Sequence, residues 1–395
     1  MIHSQLAIVG GGPAGLRAAE VAACGGIEVT LFEGKPSVGR KLLVAGKGGL
    51  NLTHGEEFES FVGRYATPEC SEGVWREILA GFDSSALRGW AADLGVETFQ
   101  ATSGRVYPKA LKAAPLLRRW LERLKGLGVK FEMNHRCVAV QPGEKHLLEF
   151  ANGESFSADA VIFALGGGSW AKTGSDGKWC EMFEKLGIPI QPLAAANCGW
   201  ECEWGAEVLA VAEGMPLKNL QVSANGGIAT GELLVTRYGL EGGAIYQLGT
   251  TLRAMAKPAI SIDFKPTFDV EALIAKMESV KRNCLAEARV RWRLNEAVCA
   301  ILGRKPWTCV ASLAREVKHC EIHLTGPRPL DEAISSAGGV RWSGLDENLM
   351  VRRYPGIYVA GEMIDWDAPT GGYLLQGCFA TGTRAGNSVV KRLKL

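Results

Sequence analysis

The chain has 395 residues, 47% hydrophobic and 22% charged. That balance suits a soluble globular protein, and the length suggests roughly two or three domains. Lysine and arginine total 44 against 42 aspartates and glutamates, a net charge of +2, so there is no global electrostatic case for a nucleic-acid or membrane partner. Eleven cysteines without a Cys-x-x-Cys pair, an N-terminus unlike a secretory signal and no long apolar run point to reduced thiols, a cytoplasmic setting and no membrane span.

The first apolar run, Gln5-Leu6-Ala7-Ile8-Val9, passes directly into Gly10-Gly11-Gly12-Pro13-Ala14-Gly15. A second run, Ile27–Phe32, ends on Glu33-Gly34. Strand, Gly-x-Gly-x-x-Gly turn, helix start, strand and terminal acid, about 20 residues on, together form a dinucleotide fingerprint. Gly10 allows the tight exit, Gly12 a close approach of backbone to pyrophosphate, and Gly15 helix–sheet packing. The helix N-terminus offers unpaired N–H groups to the phosphates. Glu33 is placed to accept from a ribose hydroxyl, and its charge disfavours a 2′-phosphate, so NAD or FAD is expected over NADP. The alternative is a purely structural turn in an α/β protein.

Residues 36–55 are glycine-rich and basic, with Arg40, Lys41 and Lys47, and read as a long loop suited to phosphates or to the electron-rich end of a reduced flavin. Helical spacing follows over 69–94 and 110–127, then strand patterns at Val129–Met133, Cys137–Gln141 and Leu147–Phe150. A buried-type strand, Ala158–Phe163, leads into Ala164-Leu165-Gly166-Gly167-Gly168, a second place where backbone passes close to a cofactor. From about 190 short β-like runs appear, including Glu207–Ala212, Leu220–Ala224 and Ile260–Phe264. Residues 269–304 are helical in pattern. The basic stretches at Lys112–Lys125 and Lys281–Arg293 have helical apolar spacing and read as solvated faces. His319–His323 lacks metal-ligand order and reads as a strand; no metal site is expected. Ile357–Ala360 then exits into Gly361-Glu362, and a final helix covers about 376–393.

Three strand-to-glycine exits in this order match the build of an FAD domain, and longer segments narrow the likeness. Gly39-Arg40-Lys41 with Gly46-Lys47-Gly48-Gly49-Leu50-Asn51-Leu52-Thr53, then Gly104-Arg105-Val106-Tyr107-Pro108, Gly231-Glu232-Leu233-Leu234-Val235-Thr236, and Gly361-Glu362-Met363-Ile364-Asp365 with Thr370-Gly371-Gly372-Tyr373 together resemble the BaiN/YhiN-like family of FAD-dependent oxidoreductases. The likeness covers essentially the whole chain. It implies an α/β fold whose Rossmann-type FAD-binding domain (1–190 and 328–395) is interrupted by a β-rich domain (191–268 and 305–327) and a small helical domain (269–304). It also implies that Gly10, Gly12, Pro13, Ala14 and Gly15 hold the pyrophosphate and that Glu33, beside Gly34, holds the adenosine ribose. Arg40 and Lys41 would lie along FAD, and the Val138 backbone would meet the adenine. Ala164, Gly166, Gly361 and Glu362 would line the pyrophosphate-to-ribityl region, with Asp365 and Gly371-Gly372-Tyr373 at the ribityl or flavin end. Two glycines before a helix can aim amides at flavin N1/O2, where charge collects on reduction. The chain departs from the family at Gly49-Leu50, where the family has Arg-Cys, and at Leu374, where it has Asn, which marks a distinct subgroup.

The expected activity is two-electron transfer through flavin N5, the hydride coming from a small organic substrate or from NAD(P)H; with no second Gly-x-Gly-x-x-Gly unit in a βαβ setting, no dedicated NAD(P)H domain is expected and any nicotinamide would bind transiently against the flavin. Lys47, Asn51, Thr370 and Tyr373 are the candidate polar groups facing the flavin; no acid–base pair is named by spacing. A non-catalytic FAD-binding sensor or assembly protein is one alternative. A flavin-dependent RNA-modifying enzyme is the other, and the near-neutral charge disfavours it.

Overall fold

The computed structural model describes residues 2–65, 69 and 72–395; Cys70 and the start of the helical pattern at 69–71 lie largely outside them. The chain divides into two compact units, 1–194 with 335–395, and 195–334.

In the first unit the apolar run Leu6–Val9 is almost free of solvent, because strand Ile2–Val9 sits inside a parallel sheet covered on both faces. It pairs on one side with Val29–Glu33, which pairs in turn with Lys130–Met133. On the other side lies Ser155–Phe163. The amino half of that strand carries the antiparallel pair His146–Phe150 and Cys137–Gln141, and its carboxyl half carries the parallel strand Ile357–Val359. Helices Pro13–Cys24 and Tyr373–Lys394 pack against one another beside this sheet. Glu20, 3% exposed, ties three helices together. Its carboxylate accepts from Arg17, Arg123, and the indoles of Trp90 and Trp120 at 2.9–3.1 Å.

Two expectations change here. The helical pattern over 69–94 is two helices, Glu72–Ala80 and Ser84–Asp93. The second starts afresh because Asp83 caps it, accepting from Ala86 N at 2.7 Å. The 36–55 loop contains a short helix, Arg40–Ala45, a tight turn at Gly46–Gly48 and a strand, Thr53–His54. Six helical residues are too few to display a periodic face.

The second unit is a seven-stranded antiparallel sheet in the order Cys320–His323, Ala259–Asp263, Pro216–Ala224, Gly227–Thr236, Gly239–Glu241, Trp200–Glu201, Gly326–Pro327. The β-like run Glu207–Ala212 is instead a helix, Ala206–Ala212. Val208 and Ala212, one turn apart, are its buried residues, and its alanine-rich sequence suits a helix. Helices Val270–Ala275, Cys284–Arg291, Glu296–Leu302 and Val310–Lys318 share one apolar cluster with the sheet, Leu273, Ala288, Ile301 and Val317 joining Val222 and Ile262. We propose residues 269–304 as a helical subdomain within this unit.

Candidate cofactor site

The carboxyl ends of the parallel strands converge on the glycine turn. Gly10 follows the first strand with φ +114°, and a Cβ there would lie 2.3 Å from the Ala164 carbonyl oxygen. A Cβ on Gly15 would lie 2.0 Å from Gly10 O. Both glycines are therefore required by the protein's own packing. Gly12 differs, because a Cβ there would meet nothing within 4 Å. It caps helix Pro13–Cys24 in extended conformation without a side-chain cap, so the first-turn amides of Ala14 and Gly15 have no helical partner. Gly361, at the exit of Ile357–Val359, closes the cradle from the third strand; a Cβ on it would sit 2.8 Å from Ala14 Cβ.

Glu33 ends the second strand. Its carboxylate accepts from Gly11 N at 2.9 Å and Lys35 N at 2.8 Å. Burial raises its pKa, against the opposing pull of those two amides and of the Lys35 and Arg40 charges. Gly34 packs on Arg136, whose Cβ would be 3.4 Å from an added Cβ, and His135 N donates to Glu33 O at 2.9 Å. The segment leading to Val138 thus lies beside the acid. Val138 itself is 48% exposed, at a register shift between Cys137 and Ala139.

Lys41, on the short helix, reaches across to the other exits. Its Nζ donates to Glu362 Oε2 at 2.7 Å and Ser169 Oγ at 2.8 Å. The other Glu362 oxygen accepts from Ser336 N at 2.9 Å, and Ser336 Oγ accepts from Gly168 N and Ser169 N at 2.8 and 3.2 Å. Gly166 precedes this knot. The Cys378 thiol is close by; burial pushes it up to about 12, with Glu362 adding and Lys41 opposing. Asp365 follows Glu362 and its pKa is raised, first by burial and then by Glu69, against a hydrogen bond from the Gly338 backbone.

At the far end, Gly371 and Gly372 have φ +126° and +102° and open the C-terminal helix with no side-chain cap. A Cβ on Gly372 would lie 2.5 Å from the Thr53 backbone, so the turn lies directly on the strand that follows Asn51. Tyr373 is buried. Its hydroxyl donates to Glu56 at 2.5 Å, its ring stacks on His54 at 5.3 Å, and its carbonyl accepts from Tyr65 at 2.6 Å. Glu56 is also held by Arg64 through both oxygens. Lys47 stands exposed in the Gly46–Gly48 turn, and Thr370 immediately precedes the glycine pair.

Three buried polar atoms of one segment, Arg40 Nε, Asn51 Oδ1 and Thr53 Oγ1, have no hydrogen-bond partner. Buried polar groups are normally paired. With the open space at Gly12 and the uncapped helix starts, these atoms form a polar lining that fits a long phosphate-containing cofactor. Ser336 and Glu56 were not singled out from the sequence. Ser336 is 26 residues from Glu362 along the chain, and only the glycines of Ser335-Ser336-Ala337-Gly338-Gly339 signal a close approach. Glu56 looks like any acid of a polar loop.

No helix among the described residues is long and apolar enough to cross a membrane, and no group of three or more His, Cys, Asp or Glu among them could hold a metal ion. The chain is 27% identical, over a 427-residue alignment covering 98% of it and 100% of the relative, to a 3-dehydro-bile acid delta(4,6)-reductase of Clostridium scindens. It is 23% identical to a ribosomal RNA dihydrouridine synthase of Escherichia coli, with 95% of each chain covered. The fold is shared with a 3-ketosteroid-delta4-(5alpha)-dehydrogenase from Rhodococcus jostii RHA1, at TM-score 0.56 and 14% identity over 98% of this chain and 97% of that one. The profile of the HI0933-like protein Rossmann domain family matches residues 4–388; the chain belongs to that family and is an FAD-dependent oxidoreductase.

Proposed function

We propose that the protein reduces a carbon–carbon double bond conjugated to a carbonyl in a small organic substrate, with NAD(P)H as a transient electron donor. The observation that carries the flavin's placement is the meeting of three glycine exits, the Lys41–Glu362 pair and the uncapped start of the C-terminal helix. When bound, FAD supplies hydride transfer at N5. The first-turn amides at Ala14 and Gly15 hold the pyrophosphate, and Glu33 holds the ribose. The Val138 backbone meets the adenine. Lys41 and Glu362 orient the ribityl chain, and Asn51 with the amides after Gly372 meets the flavin's pyrimidine edge.

The bond class comes from the relatives. A 3-dehydro, delta(4,6) substrate and the uracil that becomes dihydrouridine both contain a C=C bond in conjugation with C=O. Such a bond accepts hydride at the carbon remote from the carbonyl, because negative charge then collects on the oxygen. The test is anaerobic. Reduction by NADH or NADPH, then reoxidation by a 4-en-3-one or a simple cyclic enone, supports the reading. A flavin that neither donor bleaches favours a sensor or assembly role. A second reading places the same bond in a uracil of RNA, and full-length coverage of the dihydrouridine synthase favours it; a uridine-containing strand tests it in the same assay.

A further inference from the structure

The second unit carries a cleft of about 740 Å³ lined by Lys218, Asn219, Thr230, Glu232, Lys265 and Phe268, among others. Its aromatic wall is fixed. Residues 265–268 form a turn in which Phe268 N donates to Lys265 O at 3.1 Å. Lys318 pins that turn from behind, donating to Lys265 O at 2.9 Å and to Phe268 O, while paired with Asp263. Phe268 is nevertheless 37% exposed, and Lys276 Nζ stands 4.8 Å over its ring.

The cleft continues into a basic face. Lys265 Nζ donates to the Arg293 carbonyl at 3.0 Å, and Arg291 reaches the Lys276 carbonyl at 3.3 Å. Asn295 donates to the carbonyl of Pro216, two residues before Lys218, at 3.2 Å. Residues 276–305 hold eight lysines and arginines against three glutamates. Two of those acids, Glu287 and Glu296, are paired with Arg291 and Arg289, and Lys305 is paired with Glu316 from beyond the run, which leaves Lys276, Lys281, Arg282, Arg293 and Arg304 against Glu278. The acids around this region are Glu232 in the cleft, Asp263, which is held by Lys318 and accepts from Lys265 N at 2.8 Å, Asp269 and Glu271 just after Phe268 in the chain, and Glu278. Asp269 is engaged in capping a helix, accepting from Ala272 N at 2.7 Å. Burial first, and Arg293 second, lower the Lys265 pKa, a strain that an anion would relieve.

We infer that this face of the second unit docks single-stranded RNA, a base stacking on Phe268 and the backbone phosphates lying along Lys218, Lys265, Lys276 and Arg293. An aromatic platform inside a basic groove is how single strands are held without sequence readout. The inference rests on the second reading of the substrate; the charges of Lys281–Arg293 are exposed, as their helical spacing suggests.

The test measures binding without turnover, so its failure leaves the reductase reading standing. A fluorescein-labelled 12-nucleotide uridine-containing RNA is titrated by anisotropy into the flavin-loaded, oxidised protein at several salt concentrations. Four phosphate contacts predict a log–log salt slope of about −2.8. Phe268→Ala weakens binding about 5- to 150-fold, and Lys218→Ala or Arg293→Ala each reduces the slope by about 0.7. Lys145→Ala, on the first unit, leaves both unchanged. Flavin content and melting temperature verify that every variant is folded. Absence of salt-dependent binding overturns the inference, as does an unchanged affinity in Phe268→Ala. Stoichiometric displacement of the strand by NADPH also overturns it, by assigning the cleft to a dinucleotide.

Discussion

Gly12→Ala separates cofactor binding from folding. An added Cβ meets no protein atom within 4 Å, and the backbone there is extended, with φ −81° and ψ −179°, so alanine fits without strain. As a helix cap alanine is somewhat poorer than glycine, and the apo protein should lose less than about 1 kcal/mol. The methyl group instead occupies the space in front of the Ala14 and Gly15 amides. Displacing a phosphate from two such charge-assisted hydrogen bonds, at about 1.5–3 kcal/mol each, weakens FAD by about 3–6 kcal/mol, or about 10²- to 10⁴-fold in Kd. Gly15→Ala provides the contrast. Its Cβ would overlap Gly10 O at 2.0 Å, which forces a backbone shift and costs about 1–3 kcal/mol before any cofactor is added. Apo stabilities come from urea unfolding and affinities from quenching of flavin fluorescence. A Gly12→Ala protein that binds FAD within threefold of the parent would refute the placement of the pyrophosphate. So would one that loses as much stability as Gly15→Ala.

Glu20→Ala leaves two arginines and two indoles facing a buried void and should destabilise the protein by about 3–5 kcal/mol; a loss below about 1 kcal/mol in urea would contradict the role given to this carboxylate. Lys41→Met should weaken FAD about 10- to 100-fold while unliganded Glu362 stays held by Ser336 N, a difference readable by equilibrium titration. Glu56 supplies a pH test. Burial pushes its pKa up, but hydrogen bonds from Arg64 and Tyr373 outweigh this and hold it below the ordinary carboxylate value. A depressed folded pKa gives stability that is present above the unfolded value and is lost as pH falls through the folded one. The stability gap between parent and Glu56→Gln should therefore narrow as pH drops below about 4, and a gap independent of pH would count against it.

The nucleotide-binding half of the fold was readable because each element announces itself locally. Leu6–Val9 is apolar without alternation, Gly10 and Gly15 stand where a Cβ would strike backbone, and Glu33 ends a strand. The exits at Ala164 and Gly361 could be read for the same reason. Contacts made at long range could not. Lys41 meets Glu362 across 321 residues and Tyr373 meets Glu56 across 317, and nothing in either local sequence announces a partner. Ala206–Ala212 misled because alternation over six residues fits a strand and a helix turn equally; which one forms was decided by burial of Val208 and Ala212. The charges of Lys281–Arg293 are solvated, as their spacing suggests, but only the fold sets Lys276 and the Arg293 carbonyl beside the 265–268 turn.

Reduction of a conjugated double bond by the flavin is measured most directly in an anaerobic single turnover of the purified flavoprotein. FAD is reduced with one equivalent of NADH or NADPH, mixed with a conjugated enone, and followed by flavin absorbance and product analysis. One saturated C=C bond per flavin reoxidised is expected, in both Gly12→Ala reconstituted at high FAD and the parent. A protein that releases no FAD on denaturation, or a reduced flavin that only oxygen reoxidises, would contradict it.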